Sequence, residues 1–241
     1  MLDTILLENQ LFLDIETVPE QRNFDALSPL MQELWIERFT KTAPDSSEAA
    51  DGYRTQAGIF AEFGKIICIS AGYFHGPPAK QKLRIKSFYD DDESILLGNF
   101  LETIIEFSAK IPRLSFCGHN IREFDIPYIC RRTIVRQLKL PAALDFHGKK
   151  PWEVMLLDTM QLWRFGDHRN YSSLKLLAGI LGIPTPKDDI DGSEVAGVYW
   201  QAHDLPRIAR YCEKDVITVA QLLLRFKLLP LLTDNDIEIV P

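Results

Sequence analysis

The acidic residues Asp14 and Glu16 follow three apolar residues in the stretch LFLDIETVPE, residues 11–20. In a β-strand, residues two apart point to the same face, so both carboxylates would share a face while Ile15 points into a core. Two neighbouring carboxylates repel each other unless a cation lies between them, and oxygen-rich sites of this kind suit Mg²⁺ or Mn²⁺. Taken alone, such a pair more often ends a strand in solvent or caps a turn.

Two further aspartates lie in patterned stretches. Asp125 ends the run NIREFD within CGHNIREFDIPY, residues 117–128, just ahead of an expected helix, where an aspartate most often serves as the N-cap. Asp215 follows Tyr211 by four residues in RYCEKDVITVAQLL, residues 210–223, so the two would share a helix face. An aspartate beside the apolar stripe of that stretch needs a metal or a partner charge. The alternative is an exposed Asp215 beside a packed Tyr211.

The runs DIET, NIREFD and YCEKD, taken in this order, resemble the three motifs of the DEDD 3′–5′ exonucleases, which have a ribonuclease H-like fold. The tyrosine four residues before the last aspartate indicates the tyrosine subclass, because Arg210 occupies the position of the histidine found in the other subclass. The runs LLDTMQLW (156–163) and SSLKLLAGILGIP (172–184) extend the similarity to stand-alone exonucleases related to the proofreading domain of family B DNA polymerases. The resemblance covers about residues 10–228.

This resemblance implies hydrolysis of phosphodiester bonds at the 3′ end of a single strand by a two-metal mechanism, with release of nucleoside monophosphates. Asp14 would bind both of two divalent ions, Mg²⁺ or Mn²⁺. Glu16 and Asp215 would bind the ion that activates water, and Asp125 would hold the other. Tyr211 would hydrogen-bond and orient the attacking water, since a phenol is a weak general base near neutral pH.

Contacts with the nucleic acid are expected from five further residues: Thr17, Asn120, Phe124, Lys175 and Lys187. The alternative for each lysine is a solvated surface position. Asp158 is interpreted as a helix cap or a buried hydrogen-bonded residue, with a fifth metal-site acid as its alternative, and His119 as a structural residue.

The charge distribution also bears on the partner. The net charge is −7, yet residues 110–187 hold 13 Lys and Arg against 6 Asp and Glu, while the rest of the chain holds 14 basic and 28 acidic residues. A polyanion could bind a face built from the middle of the chain, although charged outer faces of helices would give the same count. DNA is favoured over RNA because the resemblance is to polymerase exonucleases. An exoribonuclease of the same mechanism and a catalytically inactive binding module remain alternatives.

The composition and the cysteine pattern indicate the cellular compartment of the protein. Apolar residues make up 46% of the 241, and no apolar run approaches the ~20 residues that span a bilayer. The amino-terminal stretch lacks the basic region of a signal peptide. The four cysteines are scattered without C-x-x-C spacing, which favours inert thiols in a reducing compartment. A cytoplasmic protein without membrane contact is expected, and no protein partner is indicated.

The elements that must position the acids alternate strands with helices, which predicts an α/β fold with a mixed central sheet flanked by helices. One domain over residues 1–241, with a helical or loop insertion at about 20–62, is the simplest account. The pattern places strands at 11–15, 65–74, 82–89, 113–118 and 153–159, the second and third forming a hairpin, and helices at 28–40, 94–111, 125–138, 173–181 and 205–227. Residues 42–56 would form a loop or a short helix.

Overall fold

A computed structural model describes residues 2–42, 49–77, 80–150, 153–167, 169, 171–184 and 190–241. These residues form a six-stranded sheet in the order β5-β4-β1-β2-β3-β6. The strands are β1 (Gln10–Pro19), β2 (Gly64–His75), β3 (Lys82–Tyr89), β4 (Ser115–Gly118), β5 (Leu156–Asp158) and β6 (Ile237–Val240). The pairs β1–β2 and β2–β3 are antiparallel, and β4, β5 and β6 join in parallel. The expected mixed sheet and its hairpin are therefore confirmed.

Eight α-helices connect and flank these strands within the described residues. Their bounds are α1 (Pro29–Thr42), α2 (Ala49–Gln56), α3 (Glu93–Lys110), α4 (Asp125–Val135), α5 (Thr159–Arg164), α6 (Leu174–Ile180), α7 (Val195–Gly197) and α8 (Leu205–Phe226). A π-helical turn, Val198–Ala202, follows α7 directly. Short 3₁₀ turns occur at Leu2–Thr4, Leu7–Asn9, Phe24–Ala26, Ala57–Ile59 and Asp234–Asp236.

Successive side chains of β1 point to opposite faces of the sheet and therefore contact different helices. Leu11, Leu13 and Ile15 belong to the apolar cluster that α3 and α4 complete. Phe12 points to the opposite face and packs with Val216 of α8. Because successive strand residues alternate, the two acids that follow Phe12 at even positions face α8 as well. The apolar stripe of α8 thus fixes the helix that lies over the two acids.

Three predicted boundaries need correction. The strand expected at 11–15 continues to Pro19, because Thr17, Val18 and Pro19 pair with the start of β2. The two acids therefore lie inside a strand, with a β-bulge directly after Glu16, and not at its end. The helix expected to reach residue 138 ends at Val135, and Gln137 after it has a left-handed backbone with φ of 57°. The strand expected at 153–159 is only three residues long.

The segment between β1 and β2, where an insertion is expected, holds α1, α2 and a separate apolar cluster. Trp35 packs edge-on against Tyr53 and Phe63, and its indole N–H donates to the backbone oxygen of Ala49 at 2.7 Å. The Tyr53 hydroxyl accepts from the backbone N–H of Gln21 at 3.0 Å. These contacts fix α2 against the chain that leaves β1.

No helix in the described parts of the chain is long and apolar enough to span a bilayer. All four cysteines are free thiols, three of them buried, as the sequence indicates. The cytoplasmic location and the single-domain organisation stay predictions.

Candidate active site

The centre of the site forms where β1 meets α8. The carboxylates of Asp14 and Glu16 and the thiol of Cys212 each place a potential ligand atom within 4.8 Å of the other two. The Cys212 thiol donates to the Asp14 backbone oxygen at 3.3 Å and to its Oδ2 at 3.5 Å. Glu16 is buried and Asp14 is partly exposed, so the pair opens to solvent on one side only.

Asp125 reaches this centre from α4. It is the first residue of the helix and is 3% exposed, while Phe124 occupies the N-cap position, so the N-cap interpretation does not hold. Its carboxylate accepts a hydrogen bond from the backbone N–H of Ile15, which lies between the two acids of β1. That hydrogen bond joins the start of α4 directly to the strand that carries Asp14 and Glu16.

The pKa values show that the four acids of the three motifs influence one another. Burial, followed by the charges of Asp215, Glu16 and Asp125, raises the pKa of Asp14 well above its ordinary value. Burial and the charge of Asp215 likewise raise the pKa of Glu16. Burial, with Asp158 and Asp215 adding to it, raises the pKa of Asp125 to about 7. Such a cluster favours proton uptake or a bound cation.

Tyr211 and Asp215 lie one turn apart on α8, and both are partly exposed. Tyr211 packs at the edge of the apolar cluster that contains Cys212 and Ile208, whereas Val216 beside Asp215 is fully buried. The buried residues fix the helix against the sheet. The charge of Asp215 reaches Asp14 and Glu16, and Tyr211 precedes Asp215 by one turn on the same face of α8.

Asp158 organises the loop before α4. Its carboxylate caps α5 by accepting from the N–H groups of Met160 and Gln161 at 3.0 and 3.2 Å. The same carboxylate accepts from the N–H groups of Asn120 and Arg122 at 3.1 and 3.2 Å. The interpretation of Asp158 as a helix cap and a buried hydrogen-bonded residue is therefore correct.

His119 and Asn120 also serve this loop. The ring of His119 hydrogen-bonds the Thr159 hydroxyl at 3.0 Å and the Ser172 backbone oxygen at 2.8 Å, and burial lowers its pKa. It is thus a structural residue, as expected. Asn120 has a left-handed backbone with φ of 65°, a conformation that asparagine tolerates well. Its buried side-chain oxygen has no hydrogen-bond donor among the described residues.

A groove of about 770 Å³ adjoins the acids, and Glu16, Thr17 and Phe124 are part of its lining. Lys175 lies exposed on α6 outside that lining, and Asn120 also lies outside it. Lys187 falls outside the described residues. Two of the substrate-contact predictions thus coincide with the groove.

Several residues at the site escaped the sequence reasoning. Cys212 was interpreted as an inert thiol, although its position three residues before Asp215 already placed both on one helix face. Arg22 and Arg54, which line the groove, lie outside the basic region of residues 110–187. No local pattern could have indicated them, because the packing of the insertion determines their position.

Comparisons with known proteins bear on the family and the fold of the chain. The model of a family described as predicted 3′–5′ exonucleases related to the exonuclease domain of PolB matches residues 59–236. The structure of the family B DNA polymerase from the hyperthermophilic archaeon Pyrobaculum calidifontis is similar, with a TM-score of 0.54 and 16% identity. The match covers 91% of this chain but 24% of the polymerase chain. No curated protein matches the chain by sequence.

At this identity the polymerase establishes the fold, and the α/β, ribonuclease H-like architecture expected from the sequence is confirmed. The family match spans well over half of the chain and includes the second and third motifs. The chain therefore belongs to the family of predicted 3′–5′ exonucleases related to the exonuclease domain of PolB.

Proposed function

We propose that this chain is a divalent-metal-dependent 3′–5′ exonuclease that removes nucleoside monophosphates from the 3′ end of single-stranded DNA. The observation that carries the proposal is the convergence of four carboxylates from three elements on one centre. Asp14 and Glu16 come from β1, Asp125 from α4 and Asp215 from α8, and the charges of the other three all raise the pKa of Asp14. Repulsion among carboxylates does not stabilise a protein. A bound ligand of opposite charge explains why the four acids lie together.

The donor set fits hard divalent cations. It consists of carboxylate oxygens, the ligands that Mg²⁺ and Mn²⁺ prefer. Burial raises the pKa of the Cys212 thiol well above its ordinary value, so the sulfur remains protonated and acts as a hydrogen-bond donor to Asp14. Asp14, Glu16, Asp125 and Asp215 would hold the ions, which supply Lewis acidity for the attacking water and charge neutralisation at the leaving oxygen.

The remaining side chains would orient the reactants. The phenol of Tyr211, one turn before Asp215 on α8, would accept or donate a hydrogen bond to the attacking water and fix its direction. Phe124 and Thr17 would contact the terminal nucleotide from the groove. Asn120 stays a predicted contact of the strand, although its side-chain oxygen is buried and the residue lies outside the groove lining. Holding the reactants in line supplies much of the acceleration in reactions of this type.

The preference for DNA rests on the relation of the family to the exonuclease domain of PolB. An exoribonuclease would use the same four acids, so only the substrate distinguishes the two activities. The rates at which the chain trims DNA and RNA strands of one sequence therefore distinguish the two activities.

The test uses the purified chain, 5′-labelled DNA and RNA strands of one sequence, and Mg²⁺ or Mn²⁺. We expect a ladder of strands shortened from the 3′ end, with mononucleotide products and faster trimming of DNA. Asp14→Asn should lose at least ~10³-fold in rate with its fold intact, whereas Glu102→Gln on the exposed side of α3 should equal the wild type. Faster trimming of RNA would show that RNA, and not DNA, is the preferred substrate. The absence of any trimming with either metal would reject the nuclease and favour a binding module.

A further inference from the structure

The groove beside Glu16 runs between three parts of the chain. One wall is β1 with Thr17 and Pro19, a second comes from the insertion with Arg22 and Arg54, and a third comes from residues 192–201. We propose that this groove, here called the arginine groove, binds the last nucleotides of a single strand and that Arg22 and Arg54 contact its backbone phosphates. The proposal rests on the proposed function, because it gives the strand a path to the acids.

The arginine groove is continuous with the acid centre. Glu16 belongs to both, and the β-bulge directly after it changes the pairing register at Thr17, the next residue of the groove wall. Bulges beside active sites commonly redirect a side chain. A strand whose terminal phosphate meets the acids therefore finds the arginine groove as an adjoining channel.

The charges of the lining favour a polyanion. Among the described residues that line the groove, Glu16 is the only acid, and Arg22 and Arg54 are the only bases. Both arginines are exposed, and neither forms an ion pair within the described part of the chain. By contrast, Arg132 and Arg136 of the basic middle region are paired with Glu20 and Glu93. The guanidinium groups of the groove thus remain available for phosphate oxygens, which arginine binds in a bidentate manner.

One hydrogen bond holds the two arginines near each other. The hydroxyl of Tyr53 accepts from the backbone N–H of Gln21, and each of these residues directly precedes one of the arginines. Tyr53 is fully buried and packs edge-on against Trp35. The backbone at Arg22 and Arg54 is therefore fixed, although the residues lie 32 positions apart in sequence.

A second connection ties the insertion to the acid-bearing elements. The backbone oxygen of Gly58 accepts from the Thr17 hydroxyl of β1 at 2.8 Å and from the Tyr128 hydroxyl of α4 at 2.9 Å. A side chain at Gly58 would contact the backbone of Val18 at 3.3 Å, which favours glycine here. The arginines are thus positioned relative to Glu16 on one side and Asp125 on the other.

The shape of the arginine groove suits bases as well as phosphates. Its volume of about 770 Å³ lies within the range of small-molecule sites, about 300–1,000 Å³. Phe124, Ile59 and Trp200 provide apolar walls, and Trp200 lies in the π-helical turn, a feature found at functional sites. Aromatic walls bind any base by stacking, so the groove would accept strands of any sequence.

The test measures strand binding without cleavage. Anisotropy of a labelled single strand is titrated in EDTA with wild type, Arg22→Gln, Arg54→Gln and the double variant, at several salt concentrations. We expect the double variant to bind at least ~10-fold more weakly and its salt slope to fall by about 1.4, since each phosphate contact with a single strand contributes about 0.7. The matched control is Arg131→Gln, an exposed arginine outside the groove, which should bind as wild type does.

Kinetics separate this proposal from the proposed function. With Mn²⁺, the double variant should show a raised KM and a kcat within about threefold of wild type, because the arginines do not touch the reacting atoms. If the wild type trims strands but the double variant equals it in affinity, salt slope and KM, the arginine groove is rejected and the nuclease stands. If the wild type trims nothing yet the double variant loses binding, the groove stands and the nuclease is rejected. A melting temperature equal to that of wild type confirms that each variant is folded.

Discussion

The thiol of Cys212 lies 3.5 Å from Oδ2 of Asp14, and it is the hydrogen-bond donor to a carboxylate surrounded by other carboxylates. Burial and the neighbouring Cys68 keep the pKa of this thiol high, so it stays protonated. Cys212→Ala should lower kcat about 2- to 10-fold, because one hydrogen bond contributes about 0.5–1.5 kcal/mol. Cys212→Ser keeps a hydrogen-bond donor, so its kcat should be closer to that of wild type. A serine variant slower than the alanine variant would show that sulfur size, and not donation, matters.

The stability of the metal-free protein should depend on pH through Asp125. Its folded pKa of about 7 exceeds the ordinary value of 3.8. Between these two values the folded state keeps the proton and the unfolded state releases it, so the free energy of unfolding falls as pH rises across the window. At about 1.4 kcal/mol per pKa unit, Asp125 accounts for roughly 4 kcal/mol at most.

Urea unfolding in EDTA at pH 5 and pH 8 measures this effect. The wild type should be less stable at pH 8, and Asp125→Asn should flatten the dependence by removing the titrating group. Mn²⁺ added at pH 8 should restore stability to the wild type, because a ligand that binds only the folded state stabilises it. Equal stability at both pH values without metal would contradict the repulsion among these acids.

The loop anchored by Asp158 provides a third prediction. Its carboxylate receives four N–H groups, from Met160, Gln161, Asn120 and Arg122. Asp158→Ala should cost about 2–4 kcal/mol, since it removes a helix cap and leaves buried loop N–H groups unsatisfied. It should also slow strand trimming, because the loop leads directly into Asp125.

Asp92→Ala is the matched control for this variant. Asp92 caps α3 by accepting from Ser94, at an exposed position remote from the loop. Its loss should cost about 1 kcal/mol and leave trimming unchanged. Equal rates for Asp158→Ala and wild type would show that the loop does not position Asp125.

The sequence predicted the acid centre because each motif combines a local pattern with a chemical need. Alternation placed Asp14 and Glu16 on one face of β1, and four-residue spacing placed Tyr211 and Asp215 on one face of α8. Asp125 was placed only by the resemblance. Its contact with the backbone of Ile15 depends on tertiary packing, which no local pattern reveals.

Elements that depend on distant pairing were missed. β6 has only four residues and pairs in parallel with β3, where its Glu238 accepts hydrogen bonds from Lys82, Arg84 and His75. Those three donors lie more than 150 positions before Glu238, so no window around β6 contains them. The arginine groove could not be predicted for the same reason. It depends on the contact between Tyr53 and Gln21, which lie 32 positions apart in sequence.

A buried ion cluster fixes α4 behind the active site. The guanidinium of Arg132 contacts Glu93 at 2.7 Å and also Glu20, and Arg136 contacts both acids as well. The side chain of Glu93 is fully buried and accepts from the backbone N–H of Ile66 at 2.7 Å. The cluster joins the end of β1, the start of β2, α3 and α4, and so holds the helix that begins with Asp125.

Arg132→Met should therefore cost about 3–5 kcal/mol, because it leaves the buried Glu93 partly uncompensated. Arg131→Met, the adjacent exposed position, should change stability by no more than about 0.5 kcal/mol. The double variant Glu93→Leu with Arg132→Met should recover most of the loss, since replacing a buried pair by apolar residues is often neutral. The shift of the urea midpoint at constant m-value measures all three. A double variant as unstable as Arg132→Met would show that the cluster stabilises the fold through its packing rather than through paired charge.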